Sequence, residues 1–303
     1  MNLAQLTTVG SLNFVTLPAL DTIGLVSGIT SAESVIISDT RIKSLNGINV
    51  FKLQTFDINN NGEIDVINSG LQSVTDRLNI ADNNEKVDVN LDQLASANNF
   101  ILGKVGSLSA TNLTSINGSF SIMSSNVGEL DLAKLTAIGA SLTIDRNDNL
   151  TEIDFPVLKS IGGALEIGDN SELKDFGGFP KLETVGGTVN LTGNFNNGSF
   201  PSLTRVAGGF IINSKGGELS CSSFDKLNSQ GVIKGDQYSC AGADGTSSSS
   251  SSKAGNANGT SAPSSKVSSS SSSKSHNGAS NSAPSGKLAG LMTLFAAIGV
   301  ALY

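Results

Sequence analysis

Residues 155–173 read FPVLKSIGGALEIGDNSEL, and the spacing of their apolar positions decides the fold. Leu165 and Ile167 flank a single residue, the period-2 pattern of a short strand with one buried face. Ile161 stands six residues before Ile167, Leu158 nine before it, and Asn170 three after it. The same frame recurs along the chain. Apolar pairs of this kind fall at Leu12/Phe14, Val35/Ile37, Phe56/Ile58, Leu78/Ile80, Phe100/Leu102, Phe120/Ile122, Leu142/Ile144, Leu165/Ile167, Val189/Leu191 and Phe210/Ile212, 20 to 24 residues apart. Val74, Ile116, Ile138, Val185 and Val206 hold the place of Ile161, and Leu71, Leu113, Leu135, Leu182 and Leu203 that of Leu158. Asn61, Asn83, Asn147 and Asn194 hold the place of Asn170.

A unit this short cannot bury its own apolar edge and must stack on a neighbour. Stacking sets the strands of successive coils parallel, about 4.8 Å apart, with apolar ladders inside. The period also allows a leucine-rich repeat. However, Leu150 and Leu173 fall three residues after their Asn, where that motif wants two, and no helical periodicity fills the second half of the coil. The pattern therefore predicts an all-β chain, a right-handed parallel β-helix or solenoid of coils of about 22 residues. Gly162-Gly163, Gly186-Gly187 and Gly208-Gly209 fall at the corner entering a strand, where glycine tolerates positive φ. The recurring Asn falls at the corner leaving it, where its amide can satisfy backbone groups of its own and adjacent coils.

Catalytic chemistry finds little to work with. The single histidine, His276, lies in a Ser-rich segment, which leaves neither a nucleophile–His pair nor a Cys/His metal site. The phosphate-cradling GxxxxGK[ST] loop is absent. A net charge of −7 without a basic cluster argues against nucleic acid as a partner. Between the two members of each pair sits one outward residue, and two of these are acids, Asp57 and Glu166. They are five coils apart, about 24 Å, whereas glycosidase carboxyl pairs stand about 5–9.5 Å apart. Asp145, Asp148 and Asp169, near one corner of adjacent coils, are the remaining candidate acids, with the capping of turn N–H groups as their plainer role. The sequence thus assigns no catalytic, cofactor-binding or metal residues.

Sequons, cysteines and the C-terminal stretch point to the cell exterior. N-x-Ser/Thr sequons stand at Asn112, Asn117, Asn149, Asn190, Asn197 and Asn258. Cys221 and Cys240 form an even pair that in a secreted chain reads as one disulfide; two free thiols are the alternative. The repeats occupy residues 1–240. A Ser-rich stretch over 241–287, with two six-residue serine runs, cannot build a core and reads as a disordered, O-glycosylated stalk or a plain linker. Residues 288–303 are apolar on every face, and as a helix span only about 24 Å. Small residues at Asn277-Gly278-Ala279 or Asn281-Ser282-Ala283 followed by a polar spacer match a cleaved GPI-attachment signal, with Asn277 and Asn281 as ω-site candidates. A tail anchor is the other reading.

The repeat I-G-G-x-L-x-I-x-x-N, the stretches SLNFVTLPAL (11–20) and INNNGEIDVINSGLQSVTDRLNI (58–80), and the terminal Cys-x18-Cys together resemble a known family. It is that of the fungal GPI-anchored cell-wall glycoproteins with receptor L-domain-like repeats, named after sporulation-specific and extracellular-mutant proteins. The resemblance covers roughly residues 10–240 together with the Ser-rich stretch and apolar end. It implies a surface protein of cell-wall organisation and integrity with no established catalytic activity, tied to the membrane through GPI lipid. Wall β-glucan or wall proteins are the partners this implies. Members carry a signal peptide and further N-terminal coils with cysteines of their own, whereas MNLAQLTTVGSLNF lacks a basic start and an apolar run. The expectation is that this sequence begins inside a folded domain. Two other function classes stay open on the same scaffold: a wall-polysaccharide-modifying enzyme and a ligand-binding receptor-like ectodomain.

Overall fold

The computed structural model describes residues 1–242 and 247–251. Asn258, His276, the ω-site candidates Asn277 and Asn281, the rest of the expected stalk and the apolar end 288–303 lie outside the described residues.

All ten apolar pairs enter one sheet. Ser11–Leu17, Ser34–Thr40, Lys52–Asn59, Ser73–Ala81, Ser96–Gly103, Phe120–Met123, Leu142–Asp145, Leu165–Gly168, Val189–Gly193 and Phe210–Ser214 pair in that order, all parallel. Ile122, Ile144, Ile167, Leu191 and Ile212 stand opposite one another on successive rungs, each no more than 1% exposed. The in-register column removes hydrocarbon from water on both sides of every rung, which is the driving force for stacking. A second face carries shorter parallel strands, Val66–Asn68, Asp88–Asn90 and Ser107–Ser109 in one sheet and Glu129–Asp131 with Glu152–Asp154 in another. Its inward residues Ile67, Val89, Leu130 and Ile153 face the same core.

An eleventh parallel strand, Gln237–Ala241, was not evident from the period. Tyr238 and Cys240 stand opposite Phe210 and Ile212, but the interval lengthens to accommodate the helix Ser222–Ser229. That helix closes the core by burying Phe224 against Phe210 and Phe176, with ring centroids 5.5 and 6.0 Å apart. Cys221 at its N-cap is bonded to the inward Cys240, with a Cα–Cα distance of 5.8 Å. The Tyr238 hydroxyl donates to Asp225 at 2.7 Å, a second tie between strand and helix.

Order continues into the serine run. Ser247–Ser251 forms a strand that pairs antiparallel with Gln237–Ala241, so the segment expected to be disordered from residue 241 contributes the closing strand of the sheet. The open edge of a sheet offers a row of N–H and C=O groups that any extended backbone can pair, serine included.

The corners correct one expectation and confirm another. None of the six paired corner glycines has a positive φ. Glycine is required because the backbones of adjacent rungs approach closely. A Cβ on Gly162 would sit 2.0 Å from the carbonyl oxygen of Gly139, and one on Gly186 2.0 Å from that of Gly162. Positive φ falls instead at the opposite corner on eight non-glycine residues, Thr16, Asp39, Asn60, Asp82, Lys104, Ser124, Arg146 and Asp169, at 51–55°. The next residue inward is the expected ladder. Asn61, Asn83, Asn147 and Asn170 are all buried. The Asn147 N–H donates to Oδ1 of Asn170 at 2.9 Å, and the Asn170 amide donates to the carbonyl of Ile144 at 2.9 Å. Ser125 takes one rung, accepting from the Val105 N–H at 3.2 Å and donating its own N–H to Asn147 at 2.9 Å. Asn194 leaves the ladder: it is exposed, and Phe195 is fully buried beside it.

Candidate functional site

Two polar grooves lie on the solenoid. The corner groove, about 540 Å³, is lined by Lys104, Ser124, Arg146 and Asp169 of the left-handed column and by Glu85 and Asp148. It adjoins a smaller hollow of about 190 Å³ that shares Asp169 and continues past Thr192 and Asn194 to Lys215. Lys104 is held by Asp82 at 2.8 Å and Arg146 by Asp145 at 2.8 Å.

The three candidate acids do not all line one groove, although Asp145 and Asp169 are close enough for their charges to interact. Asp148 and Asp169 line the corner groove, and Asp148 accepts from the Ser171 hydroxyl at 3.3 Å. Asp145 ends the strand Leu142–Asp145, and its carboxylate lies over Gly168 of the next rung, on the sheet side of the corner. Burial pushes the Asp145 carboxyl above its ordinary value, the Arg146 guanidinium pulls it back, and the Asp169 charge adds to the rise.

The second groove, about 560 Å³, lies on the short-strand face between Glu152, Asp154, Asp175 and Asn197. Parallel register places Glu129 opposite Glu152 and Asp131 opposite Asp154, like charges one rung apart. Asp154 responds with a raised pKa, through burial first and the Asp131 charge second. The opposite case is Asp92, held below its usual value chiefly by the Ser109 hydroxyl at 2.6 Å, then by the Thr111 N–H at 3.1 Å. Among the described residues no group of three His, Cys, Asp or Glu is placed to hold a metal ion.

A polar network on the outer face of the main sheet left no mark in the repeat pattern. Asp57 accepts from the amides of Asn59 and Asn79, each at 2.7 Å, and faces Arg77 at 3.5 Å. Only the outward register of Asp57 and Asn79 could have pointed to it.

The described sequons all lie off the inward ladders. Asn117, Asn149, Asn190 and Asn197 are exposed and Asn112 is half-buried. Their amides differ in engagement. Asn112 donates to the Asp92 carbonyl at 2.7 Å, Asn197 to the Asp175 carboxylate at 2.7 Å, and Asn149 to Asn126. Asn190 lies between inward Val189 and Leu191, on the open face of the main sheet.

No protein-family profile matches the chain. No solved structure matches it either. Curated relatives do. The cell wall mannoprotein PST1 of Saccharomyces cerevisiae is 38% identical over 233 residues, 77% of this chain and 52% of that protein. The cell surface GPI-anchored protein ECM33 of Candida albicans is 38% identical over 254 residues, 83% of this chain and 61% of that protein. The cell wall protein ecm33 of Schizosaccharomyces pombe is 33% identical over 249 residues, 82% and 58% respectively. The chain thus spans between half and three-fifths of the length of these relatives. Matches of this length run through the coils that carry the ladder, and they make the chain a homologue of fungal proteins named for the cell wall and for a GPI-anchored cell surface.

Proposed function

We propose that this chain is part of a non-enzymatic, GPI-anchored glycoprotein of the cell surface and wall that supports wall organisation and integrity. The match over three-quarters or more of the chain to proteins named for the cell wall and for a GPI anchor carries this reading. The physical role is that of a rigid scaffold. Rungs locked by continuous hydrogen bonding and a buried amide ladder present fixed, parallel faces to wall β-glucan or to wall proteins. The Cys221–Cys240 bridge closes one end of the stack, and glycans on Asn112, Asn117, Asn149, Asn190 and Asn197 would project from it without disturbing the core. The serine stretch and GPI lipid attached at Asn277 or Asn281 would set the domain off the membrane. Treatment of intact cells with phosphatidylinositol-specific phospholipase C, or of walls with β-glucanase, should release the protein. Extraction by detergent alone after both treatments would refute the anchor.

A wall-polysaccharide-modifying enzyme is the second reading, favoured by one observation, the raised pKa of Asp145 beside Asp169. Turnover of β-glucan or chitin by the purified full chain, lost on Asp145→Asn, would promote it; no turnover retires it.

A further inference from the structure

We propose that the corner groove binds a neutral, linear wall polysaccharide lying along the solenoid axis, about one sugar to a rung; this rests on the wall-associated reading above. Shape is the first support. The two hollows share Asp169 in their linings, which together run from Lys104 to Lys215, five rung steps or about 24 Å. A linear chain fits such a track, whereas a compact ligand would fill one rung and leave the rest empty.

Charge is the second support. Lys104, Arg146 and Lys215 are matched by Glu85, Asp148 and Asp169, so the track carries both signs in equal number. A polyanion would meet repulsion at Glu85, Asp148 and Asp169, and a polycation at Lys104, Arg146 and Lys215. A polyol meets donors and acceptors of both kinds, supplemented by Ser124, Asn126, Ser171 and Thr192.

The third support is the presetting of Lys104 and Arg146, which sit at φ 53° and 54° as the whole corner column does, where glycine would be less strained. Both side chains are preset by ion pairs, to Asp82 and Asp145, so little rotamer freedom remains to be lost on binding.

A competing occupant stands next to the groove. Asn149 bonds Asn126, which lines it, so a glycan on Asn149 could lie in the same track.

The test uses the full chain, glycosylated, and its Asn149→Gln variant. Each is titrated calorimetrically with a soluble linear β-glucan hexasaccharide and with a chitin hexamer. Both proteins should bind at least one hexamer. The double substitution Lys104→Gly/Arg146→Gly should weaken binding at least about tenfold through loss of charge-assisted hydrogen bonds. Its melting temperature should hold or rise, because glycine relieves the left-handed strain; a merely structural role for these side chains would lower it. Glu152→Gln, in the other groove, should leave affinity within about twofold. Undiminished binding by the double variant overturns the groove and leaves wall association standing. Binding that appears only in Asn149→Gln assigns the track to the protein's own glycan and overturns the proposal, as does no binding to either hexamer. Failure of unaltered protein to be retained at the wall in cells sinks the wall reading, whatever the titrations show.

Discussion

The coils from residue 52 to 103 and those from 115 to 214 share one inner ladder yet turn the same corner in different ways. In the first region the strand runs through the corner. Lys52–Asn59, Ser73–Ala81 and Ser96–Gly103 are 8, 9 and 8 residues long, with register shifts between Leu53 and Thr55 and between Val74 and Arg77. In the second the strand breaks in two, as in Ser160–Ile161 and Leu165–Gly168, with Gly162-Gly163 between. A bulge pushes extra backbone outward and leaves room for side chains such as Asn98 and Asn99, whose amides donate to the Asp76 carbonyl at 3.3 and 3.4 Å. At Gly162 and Gly186 the rungs come together until no Cβ fits. One apolar register therefore tolerates two backbone solutions at the same corner. Coating also changes along the chain: among the described residues every sequon lies at or beyond residue 112, and all the large exposed apolar side chains, such as Phe51 and Val66, lie before residue 67.

The most severe test asks whether the ladder is shared. Ile58→Asp in the first region and Ile167→Asp in the second should each cost about 4 kcal/mol or more and abolish secretion, because each places an uncompensated carboxylate in the stack. Glu166→Gln, exposed and one residue away, should express normally. Secretion yields of the three variants decide it, and unequal loss between the two isoleucines would break the comparison.

The corner itself comes next. Gly162→Ala should destabilise by about 3 kcal/mol, since a methyl group cannot share space with the Gly139 carbonyl. Gly10→Ala, at the equivalent corner of the first strand with open space around it, should be silent. Thermal melts of both proteins would measure the difference.

A smaller effect is expected at the amide ladder. Asn147→Ala strands the buried Ser125 N–H and should cost about 2 kcal/mol. Asn194→Ala, outside the ladder, should be neutral, and chemical denaturation would rank them.

The smallest effects are in pH dependence, where the regions should respond with opposite sign. Asp92 has a depressed folded pKa, so its contribution is present above the unfolded value and is lost as pH falls through the folded one. Asp154 has a raised folded pKa, so its charge costs stability at neutral pH, and protonation relieves that cost as pH falls through the folded value. Asp92→Asn should therefore be less stable than the parent at neutral pH and Asp154→Asn more stable, with both differences vanishing in acid. Melting temperatures across the acidic range would show the two curves converging from opposite sides.

The sequence by itself determined the stack. Leu/Ile/Val/Phe pairs at a near-constant interval name the inward positions, and Asn61, Asn83, Asn147 and Asn170 name the ladder, because each requirement is local to one rung and repeats on the next. What only the tertiary structure decided are relations between residues some 22 apart, one coil away. Glycine is needed at residue 162 because of a carbonyl at residue 139, and positive φ falls on Arg146 and Asp169 where the sequence offers no glycine. Phe195 displaces Asn194 from the ladder, and the helix Ser222–Ser229 hides the last strand by stretching the period. The corner groove belongs to the same class. Its lining comes from single polar residues of successive coils, each unremarkable in its own turn, and only the stacking of rungs brings them into one track.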